Sequence, residues 1–445
     1  MLASRAEILG GWGRFPLEPC TVYRPEREAG VAHLLGSTAS SSYIARGLGR
    51  SYGDAALNRG GGVVSHLRLN RFLAFDADTG VVECEAGVSL GEIVDLFLPR
   101  GWLPPILPGT RHVTVGGAIA SDVHGKNHPA DGSFAACVEE FRLQPPGGGP
   151  LRCSREERPE LFRATLGGMG LTGAILSARI RLRRAASAFV RADRHRARDL
   201  DAVLALLSAD GARYSVAWID ALARGAALGR GVVTRANDEA ESRDPIPARR
   251  RVAVPFDLPR GALNGAVLRA FNELQYRAGR ERVGRRVDVG SFFHPLDAVG
   301  DWNRVYGRRG FVQYQAALPT ARARDGIAAL LERLHEARRP AYLAVLKRLG
   351  RGGSGLLSFP IEGFTLALDL PHTPGIEAVL GGLDEITLRH GGRVYLAKDA
   401  TLTPEAFAAM YPAADEFRRV KRTVDPEGRL SSSLARRIGL VPCAP

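Results

Sequence analysis

The chain has 445 residues, of which 45% are hydrophobic and 24% are charged, so it is long enough for two or three domains with cores of their own. This composition excludes intrinsic disorder, collagen-like repeats and a membrane-embedded fold. An excess of 61 Lys and Arg over 47 Asp and Glu gives a formal charge of +14, which favours anionic partners such as nucleic acid, an acidic lipid surface or a phosphorylated substrate. A merely Arg-rich composition explains the same charge equally well.

The five cysteines are Cys20, Cys84, Cys137, Cys153 and Cys443, and no two of them form a C-x-x-C pair. The sequence therefore predicts neither a zinc site nor a disulfide framework, and a reducing compartment fits best. The N-terminus lacks the continuous apolar stretch of a signal peptide, and no run of about 18 apolar residues predicts a membrane span. We expect a protein that is cytoplasmic or peripheral at a membrane.

Short strands and tight turns dominate the predicted elements of the first part. Strands are predicted at 43–46, 62–65, 72–76, 81–85 and 174–182, the third and fourth of them as a hairpin. A helix follows the hairpin, with Ser89 as N-cap and Glu92 as its partner in a capping box. Gly101 is expected to end this helix.

An Arg- and Ala-rich stretch near 183–200 marks the expected domain boundary. Beyond it, strands are predicted at 214–219, 311–317, 341–347, 364–370 and 393–397. They alternate with amphipathic helices, one beginning near Thr320 and another near 376–390. This alternation favours a sheet with helices on one side, which is an α+β arrangement.

Three glycine-rich segments lie in the first part, at 46–54, 108–125 and 167–173. The first is not a Rossmann motif, because its third Gly falls one place late and no crossover helix can follow. Segments of this kind present backbone N–H groups in a concave nest with little side-chain bulk, which suits a pyrophosphate. A single segment is better explained as an ordinary turn, but three in one domain favour a flat, phosphate-bearing cofactor.

The motifs R-G-L-G-R-S-Y-G-D, V-E-C-E-A-G-V-S-L-G-E-I, V-G-G-A-I-A-S-D-V-H-G-K-N and G-G-M-G-L-T-G, in this order, resemble the FAD-binding domain of the vanillyl-alcohol-oxidase (PCMH) superfamily. Within it, F-V-Q-Y-Q, A-Y-L-A-V-L-K, G-R-V-Y-L-A-K-D and D-P-E-G-R-L-S-S-S-L resemble the decaprenylphosphoryl-β-D-ribose 2-oxidase family. The resemblance implies an α+β, two-domain PCMH-type FAD-binding fold with an inserted substrate domain, an antiparallel sheet flanked by helices. The implied ranges are 1–185 for FAD binding, 186–392 for the substrate domain and 393–445 for a C-terminal part completing the FAD domain.

The same resemblance implies FAD as a non-covalent cofactor. Related sugar oxidases bind flavin covalently through a His in the first glycine-rich turn, and the nearest equivalent here, Arg50, cannot form that bond. The implied FAD contacts are Ala45, Arg46, Gly47, Leu48, Gly49, Arg50, Ser51, Tyr52, Gly53, Asp54, Ala55, Gly109, Thr114, Val115, Gly116, Gly117, Ser121, Asp122, Val123, His124, Ile219 and Tyr395.

The implied chemistry removes a hydride from a carbinol carbon while a base takes the hydroxyl proton, and it needs a positive group near the flavin. The resemblance assigns both contacts to Lys398, although spacing alone would make it a solvated lysine at a strand end. Gln313 and Gln315 share one strand face and suit sugar hydroxyls, or else form a polar outer face. Lys347 ends an apolar strand and could meet a phosphate, with a surface lysine as the alternative.

Tyr52 and His124 belong to the flavin segments and are also expected near the substrate. His124 and His128 lack a carboxylate or Cys at ligand spacing, so no metal site is predicted. The strand around 364–370 places Thr365 and Ala367 on a small, polar face toward the expected pocket. The best-known actinobacterial members have Asn and Cys at these two positions, which leaves the substrate preference open.

The favoured prediction is oxidation of the ribose 2-hydroxyl of a polyprenylphosphoryl-β-D-ribose, the first half of an epimerisation to arabinose that a partner ketoreductase would complete. A soluble alditol or sugar-1,4-lactone oxidase that uses oxygen is the alternative enzyme. A basic nucleic-acid or membrane-binding module without catalysis is the alternative from another class. The lack of basic runs interleaved with aromatic residues argues against nucleic acid, whereas a peripheral membrane contact agrees with a lipid-linked sugar.

Overall fold

The computed structural model describes residues 3–242, 244, 252–259 and 264–442. Of the cysteines in this part, Cys20, Cys84, Cys137 and Cys153 are buried and free, and Cys443 lies outside it. No helix of the described ranges is both long and apolar enough to cross a bilayer.

Three sheets form the N-terminal part. Their strands are β1 (Ser4–Gly10), β2 (Leu17–Tyr23), β3 (Tyr43–Arg46), β4 (Gly62–Ser65), β5 (Phe72–Asp76), β6 (Val81–Glu85), β7 (Trp102–Leu103), β8 (Val138–Gln144), β9 (Leu151–Ser154), β10 (Ala174–Arg181) and β11 (Arg183–Arg184). The first sheet has the order β1-β2-β4-β3, the second β5-β6-β10-β8-β9, and the third pairs β11 with β7. The five strands predicted in this part are all present, because each is bounded by Gly or Asp turns that stop a strand locally.

Five helices connect these strands, and they are α1 (Glu28–Gly36), α2 (Leu90–Phe97), α3 (Val115–Ala120), α4 (His128–Asp131) and α5 (Pro159–Thr165). The predicted capping box of α2 is confirmed, because the Ser89 Oγ accepts from the Glu92 amide and the Glu92 carboxylate accepts from the Ser89 amide. Gly101 follows with a left-handed φ of 78°. The short helix α3 was missed, since the second glycine segment contains it. Its N-cap is Thr114, whose Oγ1 accepts from the Gly117 amide.

An eight-stranded antiparallel sheet follows. Its strands are β12 (Phe189–Ala197), β13 (Tyr214–Ile219), β14 (Gly231–Asp238), β16 (Arg282–Asp288), β18 (Phe311–Pro319), β19 (Leu343–Leu349), β20 (Gly363–Pro371) and β21 (Arg393–Val394). They are arranged in the order β16-β12-β14-β13-β19-β20-β18-β21. A separate parallel pair joins β15 (Val252–Ala253) to β17 (Val299–Gly300). The strand predicted at 393–397 is too long, because the chain turns after Val394 and the Lys398 amide donates to the Tyr395 carbonyl oxygen at 2.8 Å.

The helices of this second part are α6 (Leu200–Ser208), α7 (Gly265–Ala278), α8 (Val289–Phe293), α9 (Thr320–Glu336) and α10 (Ile376–Arg389). The α9 side chains of Ile327, Leu330 and Leu331 are fully buried in the core that the sheet shares with α6 and α10. The predicted amphipathic helix at Thr320 is therefore confirmed, with its apolar stripe turned toward the sheet.

The C-terminal chain contains α11 (Pro404–Met410), α12 (Ala414–Val424) and α13 (Ser433–Arg437). It returns to the N-terminal part, where the Tyr43 amide donates to the Arg429 carbonyl oxygen at 2.7 Å and the Ser431 amide donates to the Tyr43 carbonyl oxygen at 3.1 Å. Residues near both ends of the chain thus meet beside β3, directly before the first glycine segment. The domain ranges given above stay predictions.

Candidate active site

A cavity of about 300 Å³ lies between the glycine segments and one face of the eight-stranded sheet. Most of the predicted site residues line it, namely Ala45, Arg46, Gly47, Leu48, Gly49, Arg50, Ser51, Tyr52, Ala55, Gly109, Thr114, Gly116, Gly117, Ser121, Val123, His124, Gln313, Gln315, Lys347, Tyr395 and Lys398. Residues that are more than 300 positions apart in the chain therefore share one cavity.

Five of the predicted cofactor contacts lie behind the cavity wall. Val115 is buried in the core, and Gly53 and Asp54 pack against the C-terminal chain. Asp122 accepts hydrogen bonds from Ser133, Ser358 and the Ala135 amide, so its carboxylate supports the loop instead of facing the cavity.

Ile219, the fifth of these residues, also does not line the cavity. It shares a face of β13 with Ala217, and both side chains are buried in the hydrophobic core with α6. The two-residue period of the strand therefore turns Ile219 away from the residues that line the cavity.

Several residues that the sequence analysis did not assign also line the cavity, among them Trp12, Met169, Gly170, Ile175, Leu296, Asp297 and Trp302. Met169 and Gly170 belong to the third glycine segment, whose composition already pointed to the site. Trp12 and Trp302 pack edge to face with ring centroids 5.7 Å apart, although 290 positions separate them in the numbering. No local sequence pattern predicts that contact.

The first glycine segment fits an anionic, phosphate-bearing group. The backbone amides from Gly47 to Ser51 belong to residues that line the cavity, and within the described ranges none of them donates a hydrogen bond to the protein. Gly49 has a left-handed φ of 66°, which glycine adopts at no steric cost. A run of free amides along a cavity favours a diphosphate as the acceptor, because buried backbone N–H groups are costly when left unpaired.

Close approach of the first two glycine segments depends on Gly47. A Cβ atom at this position would lie 2.2 Å from the Thr114 Oγ1, the atom that caps α3. Neighbouring Arg50 stacks its guanidinium 3.9 Å from the centroid of the Trp12 ring. The missing side chain of Gly47 thus leaves room for a flat cofactor, and the stacking of Arg50 on Trp12 holds this wall of the cavity in place.

An amide pair on β18 forms the sheet side of the cavity. The Gln313 Nε2 donates to Asp369 on β20 at 2.5 Å, and the Gln315 Nε2 donates to Thr365 on β20 at 3.2 Å. The Gln315 Nε2 also lies 3.1 Å from the His124 Nε2, which must accept because an amide nitrogen only donates. Burial, together with nearby cations, lowers the pKa of His124 well below its usual value, in agreement with a neutral imidazole.

Lys398 lies at the same end of the cavity, with its Nζ 3.7 Å from the centroid of the Tyr52 ring. Burial lowers the pKa of Lys398 to about 7, although the carboxylate of Asp369 opposes the shift. Burial also lowers the pKa of Lys347 to about 8. Two lysines whose charged forms are disfavoured by burial therefore line the cavity, and the buried carboxylate of Asp369 acts on one of them from behind the lining, an arrangement that suits proton transfer and an anionic ligand.

Lys126 is a third, half-buried lysine near this end, and it is not among the residues predicted from the sequence. Its Nζ donates to the Phe292 carbonyl oxygen and lies 4.5 Å from the centroid of the Phe292 ring. Burial and the charge of Lys347 lower the pKa of Lys126 to about 7. The basic groups at this end of the cavity thus include one that does not line it.

Comparisons with known proteins agree with this site. The FAD binding domain family model matches residues 19–154, and the D-arabinono-1,4-lactone oxidase family model matches residues 370–438. A decaprenylphosphoryl-β-D-ribose oxidase of Mycolicibacterium smegmatis is 39% identical over 97% of this chain and 97% of its own length. An uncharacterized protein of Streptomyces coelicolor is 37% identical over 79% of this chain and 100% of its own length.

The similarity to cytokinin dehydrogenase 2 of Arabidopsis thaliana is narrower, with 30% identity over 36% of this chain and 33% of that protein. The match to the FAD binding domain model includes the first glycine segment, where the free backbone amides lie, and the second. FAD is therefore the cofactor of this fold, and the enzyme is an FAD-dependent oxidoreductase. The chain belongs to the decaprenylphosphoryl-β-D-ribose oxidase family of FAD-binding oxidoreductases.

Proposed function

We propose that this enzyme oxidises the ribose 2-hydroxyl of a polyprenylphosphoryl-β-D-ribose to a ketone, as the first half of an epimerisation to arabinose. The observation that carries the proposal is the convergence of Lys398, Lys347 and the Gln313–Gln315 pair at one end of a glycine-lined cavity. The name of the Mycolicibacterium smegmatis relative supplies the substrate class. A ketoreductase partner would consume the product, because a ketone must be reduced to complete an epimerisation.

FAD, when bound along the free amides of the first glycine segment, supplies the acceptor for the hydride that leaves the ribose C2. Lys398 in its neutral form takes the hydroxyl proton at Nζ, and its pKa near 7 keeps a substantial neutral fraction at neutral pH. The ammonium that results places a positive charge in the cavity where negative charge develops.

The remaining polar side chains orient the sugar and its phosphate. The amide oxygens of Gln313 and Gln315 accept from sugar hydroxyls while their nitrogens hold Asp369 and Thr365. Within the described ranges no carboxylate pairs with Lys347, so its cation is available for the substrate phosphate.

The visible spectrum of the purified protein, followed by anaerobic addition of a polyprenylphosphoryl ribose, tests this proposal. We expect a flavin spectrum that bleaches with the substrate, and a Lys398→Met variant that keeps FAD but bleaches about 10² to 10⁴ times more slowly, the range of a lost acid–base group. Acid precipitation should release the flavin into solution, because Arg50 forms no bond to it. A protein that holds FAD and never bleaches with this substrate would refute the proposed function.

A soluble sugar-1,4-lactone or alditol oxidase is the second candidate, favoured by the lactone oxidase model that matches residues 370–438 and thus includes Lys398. Such an enzyme passes its electrons to oxygen. Rapid hydrogen peroxide formation with a free lactone or polyol, and none with the lipid-linked ribose, would select this candidate.

A further inference from the structure

An exposed apolar patch borders the cavity, and we name it the rim patch. Its residues are Val252, Phe256, Leu296 and Val299, which are 66%, 62%, 38% and 39% exposed. Leu296 also lines the cavity, so the patch is continuous with the cavity wall. Exposed valine and phenylalanine side chains next to a ligand site indicate a surface that is covered during function.

Backbone pairing fixes the rim patch at this position. The Val254 amide donates to the Gly300 carbonyl oxygen at 2.9 Å, and the Leu258 amide donates to the Arg304 carbonyl oxygen at 3.0 Å. Trp302, which lies between these two acceptors in the chain, lines the cavity. The segment that carries Val252 and Phe256 is therefore attached along the edge of the cavity.

Two exposed arginines accompany the rim patch. Gly307 lies against the segment, since a Cβ atom there would be 2.9 Å from the Leu258 carbonyl oxygen, and the exposed Arg308 and Arg309 follow it directly. In the described ranges neither arginine forms an ion pair or a side-chain hydrogen bond. Asp257 in the same segment is neutralised by Arg14 at 2.6 Å. Apolar side chains beside free arginines are the composition of a surface that binds anionic lipid.

We infer that the rim patch docks on the surface of an anionic membrane, with Val252 and Phe256 inserted among the lipids and Arg308 and Arg309 at the headgroups. The inference rests on the proposed function for one point, the lipid chain of the substrate. A polyprenyl chain attached to a sugar in the cavity would leave past Leu296 and enter the bilayer without crossing water. Docking on the membrane thus avoids exposing the long apolar polyprenyl chain to water.

Vesicle flotation of the full-length, FAD-loaded protein tests the docking without any substrate. The probe is a vesicle of phosphatidylcholine with roughly one quarter phosphatidylglycerol, an anionic lipid, compared with phosphatidylcholine alone. We expect binding to the mixed vesicles, weakened at least about tenfold in Val252→Ser/Phe256→Ser, since withdrawing one buried apolar side chain is sufficient for that factor. The matched control is Ile8→Ser/Leu17→Ser, because these side chains are 74% and 58% exposed on the β1–β2 hairpin and lie outside the cavity lining.

Equal binding of the rim variant and the hairpin control would overturn the inference. A concentration-dependent dimer that the rim substitutions abolish, without binding to vesicles, would overturn it in favour of an interface between two copies. Bleaching by a short-chain, detergent-soluble prenylphosphoryl ribose should be unchanged in the rim variant, whereas bleaching by a long-chain substrate in vesicles should slow. If the proposed function is wrong, neither substrate preparation will bleach the flavin, but the flotation experiment will still test the docking.

Discussion

Arg437 of α13 joins the first glycine segment to the segment that carries Lys398. Its Nε and Nη2 donate to the two carboxylate oxygens of Asp54 at 3.0 and 2.7 Å, and its Nη2 donates to Asp399 at 2.9 Å. Both carboxylates are buried, with side-chain exposures of 5% and 4%. Burial raises the pKa of Asp54 and Arg437 counteracts this, so the guanidinium is the main stabiliser of the Asp54 charge.

We predict that Arg437→Met destabilises the protein by about 3 to 5 kcal/mol, the cost of leaving a buried charge without its partner. The lower end applies, because the Arg437 side chain is itself 24% exposed and water can replace part of the interaction. Urea unfolding followed by tryptophan fluorescence measures the change in the free energy of unfolding. Turnover should fall with stability, since Asp399 follows Lys398 directly and the Tyr52 amide donates to the Ala397 carbonyl oxygen at 2.9 Å.

The matched control is Arg419→Met, because Arg419 and Glu160 form an exposed pair at 3.3 Å with exposures of 52% and 63%. This variant should change the free energy of unfolding by less than about 1 kcal/mol. Replacing Asp54 and Asp399 by Asn in the Arg437→Met background should recover part of the loss, since no buried charge then lacks a partner. Equal losses in the two arginine variants, or no recovery in the triple variant, would refute the reasoning.

Three further predictions concern single substitutions. Gly53→Ala should destabilise the protein by at least about 1 to 3 kcal/mol and lower turnover, because the new Cβ would lie 1.8 Å from the Asp399 carbonyl oxygen. Gly381→Ala in α10 should instead stabilise it by about 0.5 to 1 kcal/mol, since nothing lies within 4 Å of that Cβ, and urea unfolding of both variants checks the opposite signs. Asp369→Asn removes a negative charge that raises the pKa of Lys398, so that pKa should fall further below about 7. With Lys398 as the proposed neutral base, the rise of kcat/KM with pH should then occur at lower pH; a shift to higher pH would contradict the proposed role.

Local patterns in the sequence determined the elements of this protein. The capping box of Ser89 and Glu92 forms within one turn of helix, and the turn between β5 and β6 needs only an Asp-Thr-Gly sequence, so neither depends on the rest of the fold. The period of two along β20 likewise placed Thr365 and Ala367 on one face. The glycine segments and the resemblance to a known family identified the cofactor.

Only the tertiary structure decided which of these residues meet. The register that pairs Gln313 with Asp369 and Gln315 with Ala367 follows from the packing of two strands whose paired residues lie about fifty positions apart in the chain. The contact of Arg437 with Asp54 spans 383 positions, and no pattern of local periodicity carries information over such a distance. Trp12 and Trp302 likewise meet at the cavity across 290 positions, and the packing of β13 against α6 turns Ile219 toward the core.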